Sequence, residues 1–285
     1  MSRVGAWVAV VASSAVVMAG AGNVGAAYGG QAGEARGSDS GVRITSVRLH
    51  VPGQHRKVSA YVVKPAGTLR QHSTAGVLFL HWLGDLHNDN TEYLGEAVGL
   101  ARRGVVSVLP QGYFPWVPNP DGTEHDVTLI HQQVKAMKRA LDKLAGIRAV
   151  DPGRIAIVGH DYGAMYGSLL ADRDHRVSTL VLETPDSLWG NWFATFWLGL
   201  EGQPRADYYA LFEGINPIEH TSRLGKHVLF QWAGDDVFIP SEVRDAFAQA
   251  SPDAKVELYD GAKHQLTDAA QADRDAFLAK QLHLK

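Results

Sequence analysis

Three side chains of catalytic type occur in the order Asp161, Asp236 and His264, each just after an apolar run. Asp161 is the centre of Gly-His-Asp-Tyr-Gly, between an apolar run and a small-residue segment. This pattern predicts a strand, a sharp turn and a helix with Asp161 at the apex, where Gly159 and Gly163 let strand and helix approach. Ligands of open parallel sheets bind at the carboxyl ends of the strands, so we expect the three side chains to meet there.

An acid, a histidine and a second acid can together perform hydrolysis. We expect Asp236 to orient His264 and stabilise its cation, and Asp161, with an ordinary pKa of about 3.9, to be ionised at neutral pH. A carboxylate that attacks an acyl carbon gives a mixed anhydride, which collapses backward. Attack on a saturated carbon gives a stable ester that water activated by His264 can cleave. The residues therefore predict opening of an epoxide or carbon-halogen bond through an alkyl-enzyme ester at Asp161.

Backbone amides near Asp161 are candidates for stabilising negative charge. Trp82 and Leu83 follow an early strand in Leu-His-Trp-Leu-Gly, and Tyr162 begins the helix after the turn. Such amides stabilise an oxyanion or a leaving group. His81 and His160 lie in the same segments, and we interpret them as residues that brace the loop and the turn.

Residues 184–225 interrupt the alternation of strands and helices and are rich in aromatic side chains. The apolar residues of 188–200 predict one amphipathic helix, which packs on the main body or forms a lid over the turn. Four residues of this lid-like insert are predicted to line the substrate pocket: Trp189, Trp192, Tyr208 and Tyr209. The two tyrosines are candidates to protonate a departing epoxide oxygen. The two tryptophans, with Trp82, are candidates to bind a departing halide.

The elements that must position these residues form an α/β pattern. Residues 42–51 and 57–63 alternate as strands around Pro52-Gly53 and predict an antiparallel hairpin. Later apolar runs alternate with helical segments, of which 127–144 has the most regular apolar stripe. This alternation predicts a mostly parallel central sheet with helices on both faces.

Composition limits the possible classes. The chain has 285 residues, 45% hydrophobic and 20% charged, which fits one domain over 42–285 with a large core. A formal net charge of -3 and the lack of a long basic run argue against nucleic acid as a partner. The chain contains no Cys and no His-Glu-x-x-His, so we expect no metal and no other cofactor.

The N-terminus predicts export. Residues 1–27 combine a charged start, an apolar run and a small-x-small site, as in a secretory signal peptide. Residues 28–41, rich in Gly, Ser and charge, predict a flexible linker. We therefore expect a secreted or extracytoplasmic protein without stable membrane association after cleavage. The alternative is an uncleaved N-terminal anchor.

From about Val42 to its end the chain resembles the α/β-hydrolase superfamily, with turn, acid loop and late His in the expected order. The opening hairpin and Phe-Gln-Trp-Ala-Gly-Asp-Asp-Val-Phe-Ile-Pro, 230–240, are most similar to the dienelactone hydrolase group. The family pattern places its acid four residues before Pro240, which implies Asp236 rather than Asp235. That group normally carries Cys or Ser at the nucleophile elbow. The Asp at this position resembles epoxide hydrolases and haloalkane dehalogenases.

Two other functions stay open from the sequence. One is a dienelactone hydrolase-like ester or lactone hydrolase in which Asp161 acts as a base toward water. The other is a non-catalytic exported protein that binds an apolar ligand through the aromatic insert. The expected partner in each case is a small molecule, and the oligomeric state stays open.

Overall fold

A computed structural model describes residues 38–39, 41–83, 89–221 and 227–284 of the chain. The strands are β1 (Ser38–Asp39), β2 (Val42–His50), β3 (Lys57–Pro65), β4 (Thr74–Leu80), β5 (Val105–Pro110), β6 (Val150–His160), β7 (Val177–Glu183), β8 (Val228–Ala233) and β9 (Lys255–Tyr259). The α-helices are α1 (Leu94–Arg102), α2 (Glu124–Ala145), α3 (Tyr162–Arg173), α4 (Trp189–Trp192), α5 (Gly202–Ala210), α6 (Pro217–Thr221), α7 (Ser241–Ala250) and α8 (Asp268–Gln281).

These strands form one sheet in the order β1-β2-β3-β5-β4-β6-β7-β8-β9. β2 and β3 pair antiparallel over their full length, as the hairpin prediction required, and β3 also pairs antiparallel with β5. From β5 through β4, β6, β7 and β8 to β9 the neighbours pair in parallel. The predicted α/β class, with a mostly parallel sheet, is confirmed. All seven residues of β4 are buried, as expected of a strand covered on both faces.

The core lies on both faces of the sheet. Side chains of α2 and α3, including Met137 and Leu169, pack with one face, and side chains of α1 and α8, including Leu100 and Leu278, pack with the other. α2 begins where Thr123 accepts a hydrogen bond from the His125 N–H. Such a cap satisfies a helix-end donor that has no acceptor within the helix.

The aromatic insert differs from the predicted single helix. α4 covers only four residues, and Phe193–Leu198 continue as a π-helix that ends at Gly199, whose φ is 60°. The wider π turn changes the angle between successive side chains, so the predicted apolar face does not continue. Phe196, which was predicted on the buried face, is 54% exposed.

The predicted signal peptide, 1–27, lies outside the described residues, and so does most of the predicted linker. At the end of that linker, Ser38–Asp39 pair antiparallel with Arg43 and Val42 of β2, so this part is a strand. Within the described ranges, none of the helices combines the length and apolar character needed to span a bilayer.

Candidate functional site

The turn between β6 and α3 is the sharp elbow that the glycine pattern predicts. Asp161 has φ 56° and ψ -123°, a conformation that costs a non-glycine residue free energy. A Cβ on Gly163 would lie 2.0 Å from the Leu80 carbonyl oxygen, and one on Gly159 would lie 2.5 Å from the Gly163 oxygen. Only glycine fits at both positions, so this packing holds Asp161 at the apex.

Asp236 and His264 meet as predicted. His264 Nδ1 lies 2.9 Å from Asp236 Oδ2. Asp236 Oδ1 accepts the backbone N–H groups of Phe238, at 2.8 Å, and Ile239, at 3.2 Å. Because a carboxylate only accepts, His264 Nδ1 carries a proton, and in the neutral ring Nε2 presents a lone pair.

Asp161 faces the other nitrogen of the same ring. His264 Nε2 lies 4.0 Å from Asp161 Oδ1, too far for a direct hydrogen bond. Oδ1 is buried and accepts no hydrogen bond from the described residues. Asp161 Oδ2 is 3.4 Å from the Leu83 N–H. The three predicted side chains therefore surround one point, with two acceptor atoms facing each other across it.

The two carboxyl groups have opposite pKa directions. Burial raises the pKa of Asp161 to about 6, against the lowering effects of His264 and His160. The prediction of an ordinary pKa for Asp161 was therefore wrong. Burial alone would also raise the pKa of Asp236, but the hydrogen bond and charge of His264 hold it below its usual value.

Two of the three predicted backbone amides lie at this point. The Leu83 N–H points at the Asp161 carboxylate, and the Tyr162 N–H is in the first turn of α3, where N–H groups have no acceptor within the helix. The Trp82 N–H, the third candidate, instead donates to Glu92 Oε2 at 2.8 Å. The Trp82 ring stacks on His160, at 5.7 Å between centroids.

Three of the predicted pocket residues use their polar groups elsewhere. Trp189 Nε1 donates to the Ile215 carbonyl at 2.8 Å. Tyr208 Oη donates to Asp126 Oδ2 at 2.6 Å, and Tyr209 Oη donates to Asn191 Oδ1 at 2.7 Å. In this conformation these contacts do not place Trp189 as a halide donor or Tyr208 and Tyr209 as epoxide acids, the roles predicted from the sequence.

The insert nevertheless reaches the site through Trp192. The Trp192 and His264 rings pack edge to face with centroids 6.1 Å apart. Phe238, in the loop that carries Asp236, packs against the His264 ring with centroids 5.1 Å apart. Asp161, Trp192 and His264 are all buried. The aromatic side chains thus close the site from solvent.

Two other buried polar side chains, His81 and Asp126, make contacts that hold their own loops in place. His81 Nε2 accepts the Gly112 N–H at 2.7 Å, and burial lowers the His81 pKa to about 4, so this ring braces the loop as a neutral group. Asp126 accepts the backbone N–H groups of Asp121 and Gly122 at the start of α2.

Glu92 was missed by the sequence reasoning. Its second oxygen, Oε1, lies 2.6 Å from His160 Nδ1, and His160 Nε2 lies 2.9 Å from the His264 carbonyl oxygen. His160 in the elbow was the one sequence signal for this pair, because a polar residue beside a buried apex needs partners. Among the residues that the structure describes, no three His, Asp or Glu side chains form a possible metal site.

Comparison with known proteins gives one family. The model of the dienelactone hydrolase family matches residues 58–283. An acetyl xylan esterase from Paenibacillus sp. R4 has a similar structure, with a TM-score of 0.70 and 16% identity over 85% of each chain. A putative dienelactone hydrolase from Klebsiella pneumoniae subsp. pneumoniae MGH 78578 has a TM-score of 0.59 and 15% identity, over 84% of this chain and 98% of that one.

A second acetyl xylan esterase, from Thermoanaerobacterium sp. JW/SL YS485, has a TM-score of 0.64 and 14% identity, over 87% of this chain and 86% of that one. No curated protein matches the chain. At sequence identities this low, the structural similarity shows a shared fold alone.

Proposed function

The chain belongs to the dienelactone hydrolase family, and from that premise we propose that it hydrolyses a small carboxylic ester or lactone with water activated between His264 and Asp161. The observation that carries the proposal is the pair of acceptor atoms, His264 Nε2 and Asp161 Oδ1, 4.0 Å apart. Two hydrogen bonds of about 2.8 Å that meet at roughly 90° span this distance. Water has two hydrogens to donate, so it fits this gap with its lone pairs free.

Hydrolysis then proceeds by general base catalysis. The water oxygen forms a bond to the carbonyl carbon of the substrate while one proton passes to His264 Nε2. Negative charge moves to the substrate carbonyl oxygen, which the Leu83 and Tyr162 N–H groups stabilise. The tetrahedral intermediate loses the alcohol oxygen, and His264 returns the proton to it. Asp236 and Asp161 flank the imidazolium and stabilise its charge.

The family comparison agrees with this substrate class. Two of the similar structures are acetyl xylan esterases, and another is a putative dienelactone hydrolase. A water nucleophile also avoids the mixed anhydride that attack by Asp161 on an acyl carbon would form. Ester hydrolysis thus needs no leaving-group donor from Trp189, Tyr208 or Tyr209, whose polar groups bond elsewhere.

A second candidate is chemistry through an alkyl ester on Asp161, and one contact favours it. Asp161 Oδ2 lies against the Leu83 N–H, at 3.4 Å, while Oδ1 is left for a substrate carbon. Water attack on such an ester would place negative charge on Oδ2, next to that donor. An epoxide or haloalkane substrate would still need an acid or halide donor, which Trp189, Tyr208 and Tyr209 do not provide here.

A substrate panel separates the candidates. We expect turnover of p-nitrophenyl acetate or dihydrocoumarin, and none of styrene oxide or 1-bromobutane. His264→Gln should lose this activity, whereas His220→Gln, which changes another buried His bonded to a carboxylate, should keep it. Turnover of none of the four, with apolar ligand binding that survives His264→Ala, would contradict hydrolysis and favour a binding protein.

The source of the product oxygen gives a second test. In a single turnover in ¹⁸O-labelled water, the proposal predicts label in the carboxylic acid product and none in the Asp161 peptide by mass spectrometry. Label in the Asp161 carboxyl group would refute the water mechanism and identify the alkyl-ester route, because water would then attack the Asp161 carboxyl carbon.

A further inference from the structure

Glu92 joins two loops of the site. Its Oε2 accepts the Trp82 N–H at 2.8 Å, one residue before the Leu83 amide that points at Asp161. Its Oε1 is bonded to His160, one residue before Asp161. The Glu92 carboxylate therefore fixes the spacing between the loop that carries Trp82 and Leu83 and the elbow that carries Asp161.

His160 joins the elbow to the loop that carries His264. Its Nδ1 faces Glu92 Oε1 at 2.6 Å, and its Nε2 faces the His264 carbonyl oxygen at 2.9 Å. Both partners are acceptors, so the ring satisfies them together only as an imidazolium with two N–H groups. The negative charge of Glu92 overcomes the effect of burial and raises the pKa of His160 to about 9, which keeps this cation at neutral pH.

We propose that Glu92 and His160 are a positioning pair that aligns the Leu83 amide, Asp161 and His264 for the ester hydrolysis proposed above, on which this inference rests. Neither side chain has to touch the substrate. Glu92 sets the Leu83 amide through Trp82, and His160 sets the backbone of His264. Misplacement of reacting groups by about 1 Å costs on the order of 100-fold in rate, so this alignment has a large effect on turnover.

The pair also acts on the charge of Asp161. The cation of His160 opposes the burial that raises the pKa of Asp161. Among the described residues, Glu183 also favours the His160 cation, and the His264 ring lies 5.1 Å from the His160 ring. Arg274 binds Glu183 at 2.8 Å and partly neutralises it. Loss of the His160 charge should therefore raise the pKa of Asp161 further.

The test is the kinetics of Glu92→Gln and His160→Gln on the best ester of the panel. We expect kcat to fall about 10- to 100-fold in each, with KM within about threefold. In His160→Gln the acid limb of the kcat profile should move to higher pH, because the cation is lost while the Glu92 charge, which raises the pKa of Asp161, remains. Loss of structure alone would not cause this shift. If the two residues act as one unit, the double variant should be no slower than the slower single variant.

His220→Gln is the matched control. His220 Nδ1 lies 2.7 Å from Asp172 Oδ2, with 6% and 10% of the two side chains exposed, against 3% for His160 and 22% for Glu92 in the site pair. Asp172 is ten residues beyond the start of α3, about 15 Å from the elbow. This variant should lose similar stability in urea unfolding and keep kcat within about twofold.

A kcat and a pH profile of both site variants equal to wild type would overturn the inference and leave the proposed hydrolysis intact. If wild type hydrolyses no ester, the proposed function fails, and ¹⁵N NMR of the histidine rings still tests the pair. The pair is supported if wild type shows an imidazolium signal at pH 8 that is absent in His160→Gln and if the His160 ring is neutral in Glu92→Gln. A neutral His160 ring at pH 7 in wild type overturns it.

Discussion

Asp161 and Asp236 are two buried carboxyl groups on opposite nitrogens of one imidazole. Asp236 has three hydrogen-bond donors within 3.2 Å: His264 Nδ1 and the N–H groups of Phe238 and Ile239. Asp161 has one backbone donor, at 3.4 Å, and one oxygen without a donor among the described residues. Burial is similar for the two groups, but hydrogen bonding is not.

This difference teaches how each group can work. A carboxylate with all its partners in place is stable as an anion, and it holds His264 in one tautomer. A carboxylate with an unmet oxygen is unstable as a buried anion, and it gains from any donor that enters the site. Asp236 is therefore suited to orient His264, and Asp161 to bind water or substrate.

Exchange of Asp236 for Asn is expected to have the largest effect on rate. Asn keeps an oxygen for the two backbone N–H groups, but its amide group would face His264 Nδ1. The ring then takes the tautomer with the proton on Nε2, which cannot accept a proton from water. We expect kcat for ester hydrolysis to fall roughly 10³- to 10⁴-fold, and stability in urea to fall by about 1–3 kcal/mol.

A fall in kcat of less than tenfold would break the comparison, because Asp236 would then not control the tautomer. Asp235 is the control, because it carries a carboxylate next to Asp236 and so tests whether the acid role belongs to Asp236 alone. Asp235→Asn should keep kcat within about twofold of wild type in the same assay.

Asp161→Asn should have the opposite effect on stability. The folded pKa of about 6 lies above the ordinary value of 3.8, so the folded state binds more protons between these values. This stability contribution is fully present below pH 3.8 and is lost as pH rises through about 6. The difference corresponds to about 3 kcal/mol. We expect Asp161→Asn to be about 2–3 kcal/mol more stable than wild type at pH 8 and equal to it at pH 4.

Urea unfolding at the two pH values measures this, and the difference between the variants cancels other titrating groups. The same variant should lose about 10²- to 10⁴-fold in kcat, because one acceptor for the attacking water is gone. Equal stability of wild type and Asp161→Asn at pH 8 would show that the Asp161 anion is not strained by burial.

The sequence predicted the sheet, the elbow and the meeting of Asp161, Asp236 and His264, since these depend on local signals. Apolar runs set the strands, and glycines set the turn. It did not predict Glu92, because the contact with His160 joins residues 68 positions apart that share no local pattern. Nor did it predict that Tyr208 would bond to Asp126, which removes its hydroxyl group from the site.

Asp186 tests whether a raised pKa alone marks a functional carboxyl group. Its exchange for Asn is expected to have the smallest effect on kcat. Burial raises its pKa to about 6, as for Asp161. Its oxygens, however, accept from the Leu188 N–H at 3.3 Å and from Asn191 Nδ2 at 3.1 Å, inside the aromatic insert. With its partners present, Asp186 has no unmet oxygen for a substrate or water. Asp186→Asn should therefore keep kcat within about twofold at pH 8, and a loss above tenfold would mean that burial, rather than an unmet acceptor, distinguishes Asp161.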